Sequence, residues 1–539
     1  MKFPRSSSDT LDAFPPSTKA KIPPPYQIAC EEKEERTPQV ILDEALEQIG
    51  MGRFHWLVFA LSGMGWLTNN AWTQVIAVTA PRVQERFELS DTSIGFFSTT
   101  LSTGLLLGAI SWGAIADKKG KRLAFLLYCG LTALFGALVT VAPTYPLILV
   151  SLFPLGFSLS GAVPVDGAFL AEFLPTSRRK IITVLAMFFA LGDMVAFLLA
   201  LSILPRLRCP TTGDEAMAMC SLIQRNGWRV LVLSLTCLQI CIFTARYLLL
   251  RVPESPVYYL SHGQYDKAAD ILSNIARRCG HTEDLPAIIE LRSLSPLGKD
   301  QEMGHAPTKE GMEGGAGMTV ASNPPSTFRL LFTGRTQSWT SALTLGYSLG
   351  LGIGYYTFLF YLPVYLERRA KSSQGVMPND GEVASPDQAY IDLFIYACCG
   401  IPSSLVGMVL ADTRLGRKGS MAAAMIGSAS LMALFPQARQ HLASLSAMSG
   451  MNFVVSIAYA VSGTYVTEAF SSNIRATAGG LWSACQRISG IVAPQVTGAI
   501  MARGDKLPFY VGAGSLILGG ILTSLLPLET RPRRNKVGK

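Results

Sequence analysis

Gly113-Ala-Ile-Ala-Asp117-Lys-Lys-Gly120-Lys121-Arg122 is a tight basic turn set between two long apolar segments. It returns in altered form as Gly407-Met-Val-Leu-Ala-Asp412-Thr-Arg-Leu-Gly416-Arg417-Lys418, again between apolar segments, and Asp117 and Asp412 are 295 positions apart. A second pair keeps nearly the same offset. Arg179 follows Glu172 by seven residues, Arg475 follows Glu468 by seven, and the two glutamates are 296 apart. One plan used twice in one chain predicts the two halves of a membrane protein.

Composition supports that reading. Of 539 residues, 49% are hydrophobic and 15% charged, against about 25% charged in soluble proteins. The apolar residues fall in runs of about 20, enough to cross a bilayer as helices. The net charge of +9 sits in short loops beside those runs, which points to membrane topology rather than nucleic acid. Hydropathy places twelve spans near 54–80, 92–116, 123–142, 146–171, 181–204, 228–250, 337–366, 388–411, 419–437, 443–468, 476–500 and 509–527. The fold expected is an all-α membrane protein of two six-helix bundles, residues 51–250 and 337–527.

Charge orients it. Lys118–Arg122, Arg178–Lys180, Arg414–Lys418, Arg475 and Arg531–Lys536 all fall on one side, which the positive-inside rule makes the cytoplasm, with both termini there. Residues 1–50, polar and interrupted by Pro15-Pro16 and Pro23-Pro24-Pro25, read as a disordered tail, and 528–539 as a second tail. Residues 251–336 form a cytoplasmic loop: one or two short helices through Tyr258–Arg278, then a Gly- and Pro-rich linker over 297–327. Cys209 and Cys220 share an external loop, where a disulfide and two free thiols are equally open. Pro154, Pro164, Pro402 and Pro494 lie inside spans, where freed backbone groups need protein or water around them.

The turn at Gly113–Arg122 and its repeat resemble the signature loop of the major facilitator superfamily. Pro253-Glu254-Ser255-Pro256 resembles the exit from helix six in its sugar and organic-ion branches. Glu468-Ala-Phe-Ser-Ser-Asn-Ile-Arg475, Arg487-Ile-Ser-Gly-Ile-Val-Ala-Pro494 and Pro527-Leu-Glu529-Thr530 resemble later landmarks of the same branches. Gly52-Arg53-Phe54-His55-Trp56 and Pro164-Val-Asp166, with Glu172-Phe-Leu-Pro175, are most similar to fungal synaptic-vesicle-two-like members. The resemblance covers about residues 45–530. It implies two bundles rocking about a central site. Charge contacts at the basic face that form only when the bundles close there would make Asp117, Arg122, Glu172, Arg179, Asp412, Arg417, Glu468 and Arg475 a conformational gate, with a solvated turn that merely fixes topology as the alternative. The chain departs from the family pattern at Thr68-Asn69-Asn70, where many relatives carry an acid, and at Leu152-Phe153, where many carry an arginine.

An ionisable group inside a span costs roughly 2.5–3.5 kcal/mol on insertion scales and asks for a partner or a function. Asp193 lies mid-span in the fifth segment, Arg487 mid-span in the eleventh, and Asp166 lower in the fourth. Asp193 and Arg487 either pair across the bundles or act separately. In the second case Asp193 or Asp166 couples protons, and Arg487 offers a planar fork of donors to a carboxylate. Arg246, near a span end, reads as a snorkelling structural residue. Asn69, Asn70, Gln74, Tyr355, Tyr356, Asn452 and Gln486 complete the candidate substrate site with Arg487. Four glycines, Gly346, Gly350, Gly352 and Gly354, point to close helix packing.

These features predict a monomeric secondary transporter in the plasma membrane. Its solute would be a small organic anion or polyhydroxylated compound, with protons as the coupling ion or facilitated diffusion as the rival. Nutrient import, efflux of a fungal secondary metabolite, and a non-transporting solute sensor are the alternatives. No cofactor, metal site, nucleotide loop or nucleophile–base arrangement is expected, so neither is an enzyme.

Overall fold

The computed structural model describes residues 37–207, 226–249, 254–281, 285–294, 331–373, 386–411 and 413–529, except 414, 471 and 502. The expected linker, Cys209, Cys220 and the residues after 529 lie outside this set.

Twelve helical spans appear in the expected order. The first six are Arg53–Arg86, Asp91–Lys119, Lys121–Val141, a broken span from Tyr145 to Phe173, a span ending in Met187–Ile203, and Gly227–Leu249. The second six are Arg335–Ser373, Pro386–Ala411, Gly416–Leu434, His441–Ala469, Ser472–Met501 and Leu507–Ser524. Nine helices among the described residues are long and apolar enough to cross a membrane. The other three, the first, eighth and eleventh spans, are helices of 34, 26 and 30 residues, and the first and eleventh carry internal amides and, in the eleventh, Arg487.

Local chemistry sets the ends and breaks. Ser90 opens the second span by accepting the Ser93 amide at 3.2 Å. Gly120 and Gly416, at φ 94° and 69°, start the third and ninth spans from a left-handed turn that other residues resist. Pro164 cannot donate to the helix ladder, and the fourth span passes through a π-helical turn at Ala162–Asp166 before Gly167–Phe173. Residues 176–186 enter the fifth span as a 3₁₀ helix, so its α-helical part starts later than hydropathy suggests.

The packing pattern carries the duplication. Let each span of the first half correspond to the span six later. Within the halves, the second packs on the fourth as the eighth packs on the tenth, and the third packs on the sixth as the ninth on the twelfth. The first packs on the fifth as the seventh on the eleventh. Between halves the contacts are second with eleventh, fifth with eighth, and first with seventh. Exchanging the halves turns second–eleventh into eighth–fifth and returns first–seventh to itself. A twofold relation between the bundles demands that pattern. The helix-seven glycines pack closely as expected: a Cβ at Gly350 would lie 2.7 Å from the Ser515 carbonyl oxygen, and one at Gly354 2.4 Å from Leu516.

Two differences from expectation lie on the basic face. Among the described residues the central loop holds three short helices, Pro256–Ser261, Tyr265–Cys279 and Pro286–Ser293, and not one or two. Within the region read as a disordered tail, Pro38–Ile49 is a helix whose Ile41, Leu42, Ala45, Leu46 and Ile49 are buried against the second and third of these. That spacing is one helical face, hidden in the sequence by proline-rich neighbours. Glu47 on this helix accepts from the Ser177 amide at 2.7 Å, from the Ser177 hydroxyl at 2.8 Å and from the Thr176 hydroxyl. These bonds, Thr176 first, hold its carboxyl below the usual range. The N-terminal helix is thereby tied to the entry of the fifth span.

Candidate functional site

The polar residues of the first span face inward. Asn69, 3% exposed, donates to the Leu159 carbonyl at 2.7 Å, just before the π turn of the fourth span. Asn70 donates to Asp193 Oδ1 at 2.5 Å and to the Phe189 carbonyl at 3.0 Å, joining the first span to the fifth. Gln74, one turn on, is 1% exposed and lies beside Asp193, with its amide oxygen left without a hydrogen-bond partner. Asp193 itself is 8% exposed and faces the seam, with Tyr355 and Tyr396 of the other bundle within electrostatic reach.

Across the seam, Tyr355 meets Tyr356 at 5.4 Å and Tyr459 at 5.2 Å between ring centroids. Tyr459 donates to Gln486 Oε1 at 2.9 Å, and Gln486 donates to the Ser348 carbonyl at 3.1 Å. Arg487 is half-buried beside Tyr459 and makes no hydrogen bond or ion pair among the described residues. The cross-bundle pair left open by the sequence is therefore not formed: Asp193 is held by Asn70, and Arg487 is left for something else. Asn452 donates to the Tyr396 carbonyl at 2.8 Å and supports the eighth span.

Asp166 is placed differently from Asp193. It forms an ion pair with Arg246 at 2.8 Å, both side chains 0% exposed, inside the first bundle. Tyr128 donates to Asp166 at 2.6 Å, Arg246 bonds Tyr128 and the Leu61 carbonyl, and the guanidinium lies 3.8 Å from the Phe125 ring centroid. Arg246 does not snorkel, as its position near a span end suggested. Partners from three other spans draw it inward, and buried charges persist where they are paired and bonded. Asp166 is committed to this pair.

The duplicated turns share one construction. Glu254, at the exit of the sixth span, accepts the Arg122 amide at 2.9 Å, and Glu529, at the exit of the twelfth, accepts the Arg417 amide at 2.9 Å. Each carboxylate caps a helix N-terminus, where it also meets the helix dipole. Beside these caps Lys121 pairs with Glu172, and Arg417 pairs with Glu468 at 3.1 Å. Of the gate residues, Glu172, Arg417 and Glu468 thus pair inside their own bundles, and Arg122 is held through its backbone amide. The side chains of Asp117, Arg179, Asp412 and Arg475 lie outside the described set.

On the opposite face the bundles are bridged. Arg82 of the first span pairs with Glu367 of the seventh at 3.6 Å and donates to Tyr390 of the eighth at 3.4 Å. Arg368 pairs with Asp91 at the start of the second span at 2.5 Å and with Asp505 at 3.0 Å. One or two turns deeper, Thr99 donates to the Ile491 carbonyl at 3.1 Å and accepts from Gln495 at 3.0 Å. Tyr361 belongs to this face and donates to the Asp505 carbonyl at 2.9 Å. Sequence reasoning missed these pairs and Tyr396. Span-end charges look like simple anchors until their partners on other spans are known.

Comparison with known proteins gives a family, two relatives and a solved structure. The sequence family described as Major Facilitator Superfamily matches residues 56–379 and 381–539. An uncharacterised MFS-type transporter of Schizosaccharomyces pombe is 29% identical over 91% of this chain and 88% of its own length. The rat synaptic vesicle 2-related protein is 25% identical over 92% of this chain and 82% of its own. Among solved structures, an inward-open conformation of the E. coli xylose transporter XylE superposes with a TM-score of 0.64 at 15% identity, covering 89% of this chain and 98% of that one.

Proposed function

The chain belongs to the Major Facilitator Superfamily, and from that membership we propose that it moves a small organic solute, an anion or a polyhydroxylated compound, by alternating access through the seam between its bundles. Its family and relatives are transporters, not enzymes. The observation that carries the proposal is the asymmetry of the seam. The cross-bundle bonds of Arg82, Asp91, Thr99, Glu367, Arg368 and Gln495 all lie in the half away from the basic turns. At the basic turns, Glu172, Arg417 and Glu468 bond within their own bundles. With the basic face cytoplasmic, this state is closed outside and open inside. The cycle then breaks the outer bridges and brings the duplicated turns together.

In this reading Arg487 receives the anionic part of the solute, assisted by Gln486, Tyr459, Tyr355 and Tyr356. Asn69, Asn70 and Gln74 line the facing wall. Asp193 is the proton-coupling residue. It sits at the seam, where a conformational change alters its surroundings, whereas Asp166 is locked to Arg246. The protein works as a monomer, since each chain contains both halves of the path. The test is flux in proteoliposomes across a panel of organic anions and polyols, with and without a pH gradient. Saturable uptake lost in Arg487→Ala supports the reading. Saturable binding with no flux of any solute makes the protein a sensor and refutes it.

A further inference from the structure

Two opposite charges stand at the seam without a protein counter-ion among the described residues. Asp193 receives only neutral amide donors, from Asn70 at 2.5 Å with Gln74 alongside. Arg487 has neither hydrogen bond nor ion pair. Between them runs a tyrosine cluster. Tyr355 lies within reach of Asp193, its ring is 5.2 Å from that of Tyr459, and Tyr459 lies within reach of Arg487. The Tyr396 hydroxyl, also near Asp193, has no partner and its residue is 1% exposed. The amide oxygen of Gln74, a residue 1% exposed, also has no partner. Buried polar groups without partners are rare, and each needs something to bond.

We infer that the solute is a zwitterion whose ammonium group sits against Asp193 among the faces of Tyr355 and Tyr396, and whose carboxylate is bound by Arg487. The inference rests on the transport reading and narrows its solute. A carboxylate flanked by tyrosine rings suits an ammonium, which gains both the charge and the ring quadrupole. A guanidinium with free donors suits a carboxylate, which it can hold through two parallel bonds. An anion alone would satisfy Arg487 and leave Asp193 repelling it. A neutral polyol would satisfy Gln74 and Tyr396 and leave both charges unmatched. A dipolar solute matches both charges at once, and its own hydrocarbon segment covers the rings between them.

The same carboxylate then serves solute and proton in turn. An ammonium at Asp193 and a proton on Asp193 are alternative ways to neutralise it, so the two compete. Solute bound through Asp193 therefore weakens as the proton concentration rises on the open side.

The experiment uses the full chain in lipid nanodiscs and a matched trio of probes. These are 4-(trimethylammonio)butyrate, which carries both charges, butyltrimethylammonium, which carries the positive one, and butyrate, which carries the negative one. Binding is read by calorimetry and by competition among the three. The zwitterion is expected to bind about 30-fold or more tightly than either singly charged analogue, the order expected when one buried charge goes unmatched. Asp193→Asn should remove that preference and bring butyrate level with the zwitterion, and Arg487→Gln should do the same for butyltrimethylammonium. Both variants are to be checked for a native elution profile, so that loss of fold is not read as loss of binding. Butyrate or a polyol bound as tightly as the zwitterion, with Asp193→Asn silent, overturns the inference and leaves the transport reading standing. Saturable binding of the zwitterion without flux supports the inference and sinks the transport reading. No binding of any of the three overturns the inference.

Discussion

Replacing Asp166 by Asn leaves the Arg246 guanidinium buried with no counter-ion. Both side chains are 0% exposed, so solvent does not screen the pair. Arg246 keeps its bonds to Tyr128 and to the Leu61 carbonyl at 2.7 Å, but the one carboxylate bonded to it among the described residues is gone. Breaking a buried pair from one side costs about 3–5 kcal/mol, because an uncompensated charge is left behind. Arg246→Met, which keeps most of the apolar stem over Phe125 at the expense of the charge, should cost about as much. The double variant removes both charges. It should be destabilised by about 2 kcal/mol or more less than the sum of the single changes, within the range measured for residues that share a bonded network. The assay is unfolding of purified protein in mixed micelles with increasing dodecyl sulfate, followed by tryptophan fluorescence. Additive effects, with a coupling below about 0.5 kcal/mol, would refute the claim that this pair organises the first bundle.

Other outcomes follow from neighbouring features. Gly65→Ala should abolish folded protein in a size-exclusion assay, because the new Cβ would stand 1.9 Å from Asp166 Oδ2 and 2.5 Å from the Tyr128 hydroxyl. Glu47 has its carboxyl pKa lowered by the Thr176 and Ser177 bonds, so its contribution is present above the unfolded carboxylate range and fades as pH falls through the lowered value. Limited proteolysis should accordingly release the 38–49 helix in Glu47→Gln at neutral pH and in the wild type only under acid conditions. Equal protection of variant and wild type at neutral pH would discard that tether. Gly416→Ala, at φ 69° with Glu529 packed where the Cβ would go, should lower thermal stability measured by dye binding, while Gly514→Ala, with open space around it, should not.

The sequence showed the architecture because the duplication is written in local chemistry. Gly120 and Gly416 both carry the positive φ their turns require, and Glu172 and Glu468 both pair with the basic residue that opens the following helix. Pro164 announced a break, and the π turn lies there. Asn70 and Asp193 were each suspect because lipid tolerates neither, and they bond to each other. What stayed hidden depends on tertiary contact. Arg246 sits where a side chain can reach the bilayer surface, and only the convergence of Tyr128, Asp166 and Leu61 turns it inward. Tyr396 reads as one more aromatic of an apolar helix until Asp193 is found beside it. Arg82 and Glu367 lie far apart in the sequence, at span ends where charges are common.

Rocking of the two bundles about the seam can be read from spin-label distances across both faces. One label pair sits at Thr144 and Lys506 on the outer side, another at Lys119 and Leu415 on the basic side, all four residues exposed. The perturbation is the double change Asp91→Asn and Glu367→Gln, which weakens both outer bridges. These pairs are partly exposed, at 32%/25% and 14%/13% for Arg368–Asp91 and Arg82–Glu367. Screened pairs of that kind are worth up to about 1 kcal/mol each. Losing both shifts the balance of conformers by about 5- to 30-fold. The outer distance should lengthen and the basic-side distance shorten in the same population. Distances that stay fixed, or that move together in one direction, would contradict that rocking.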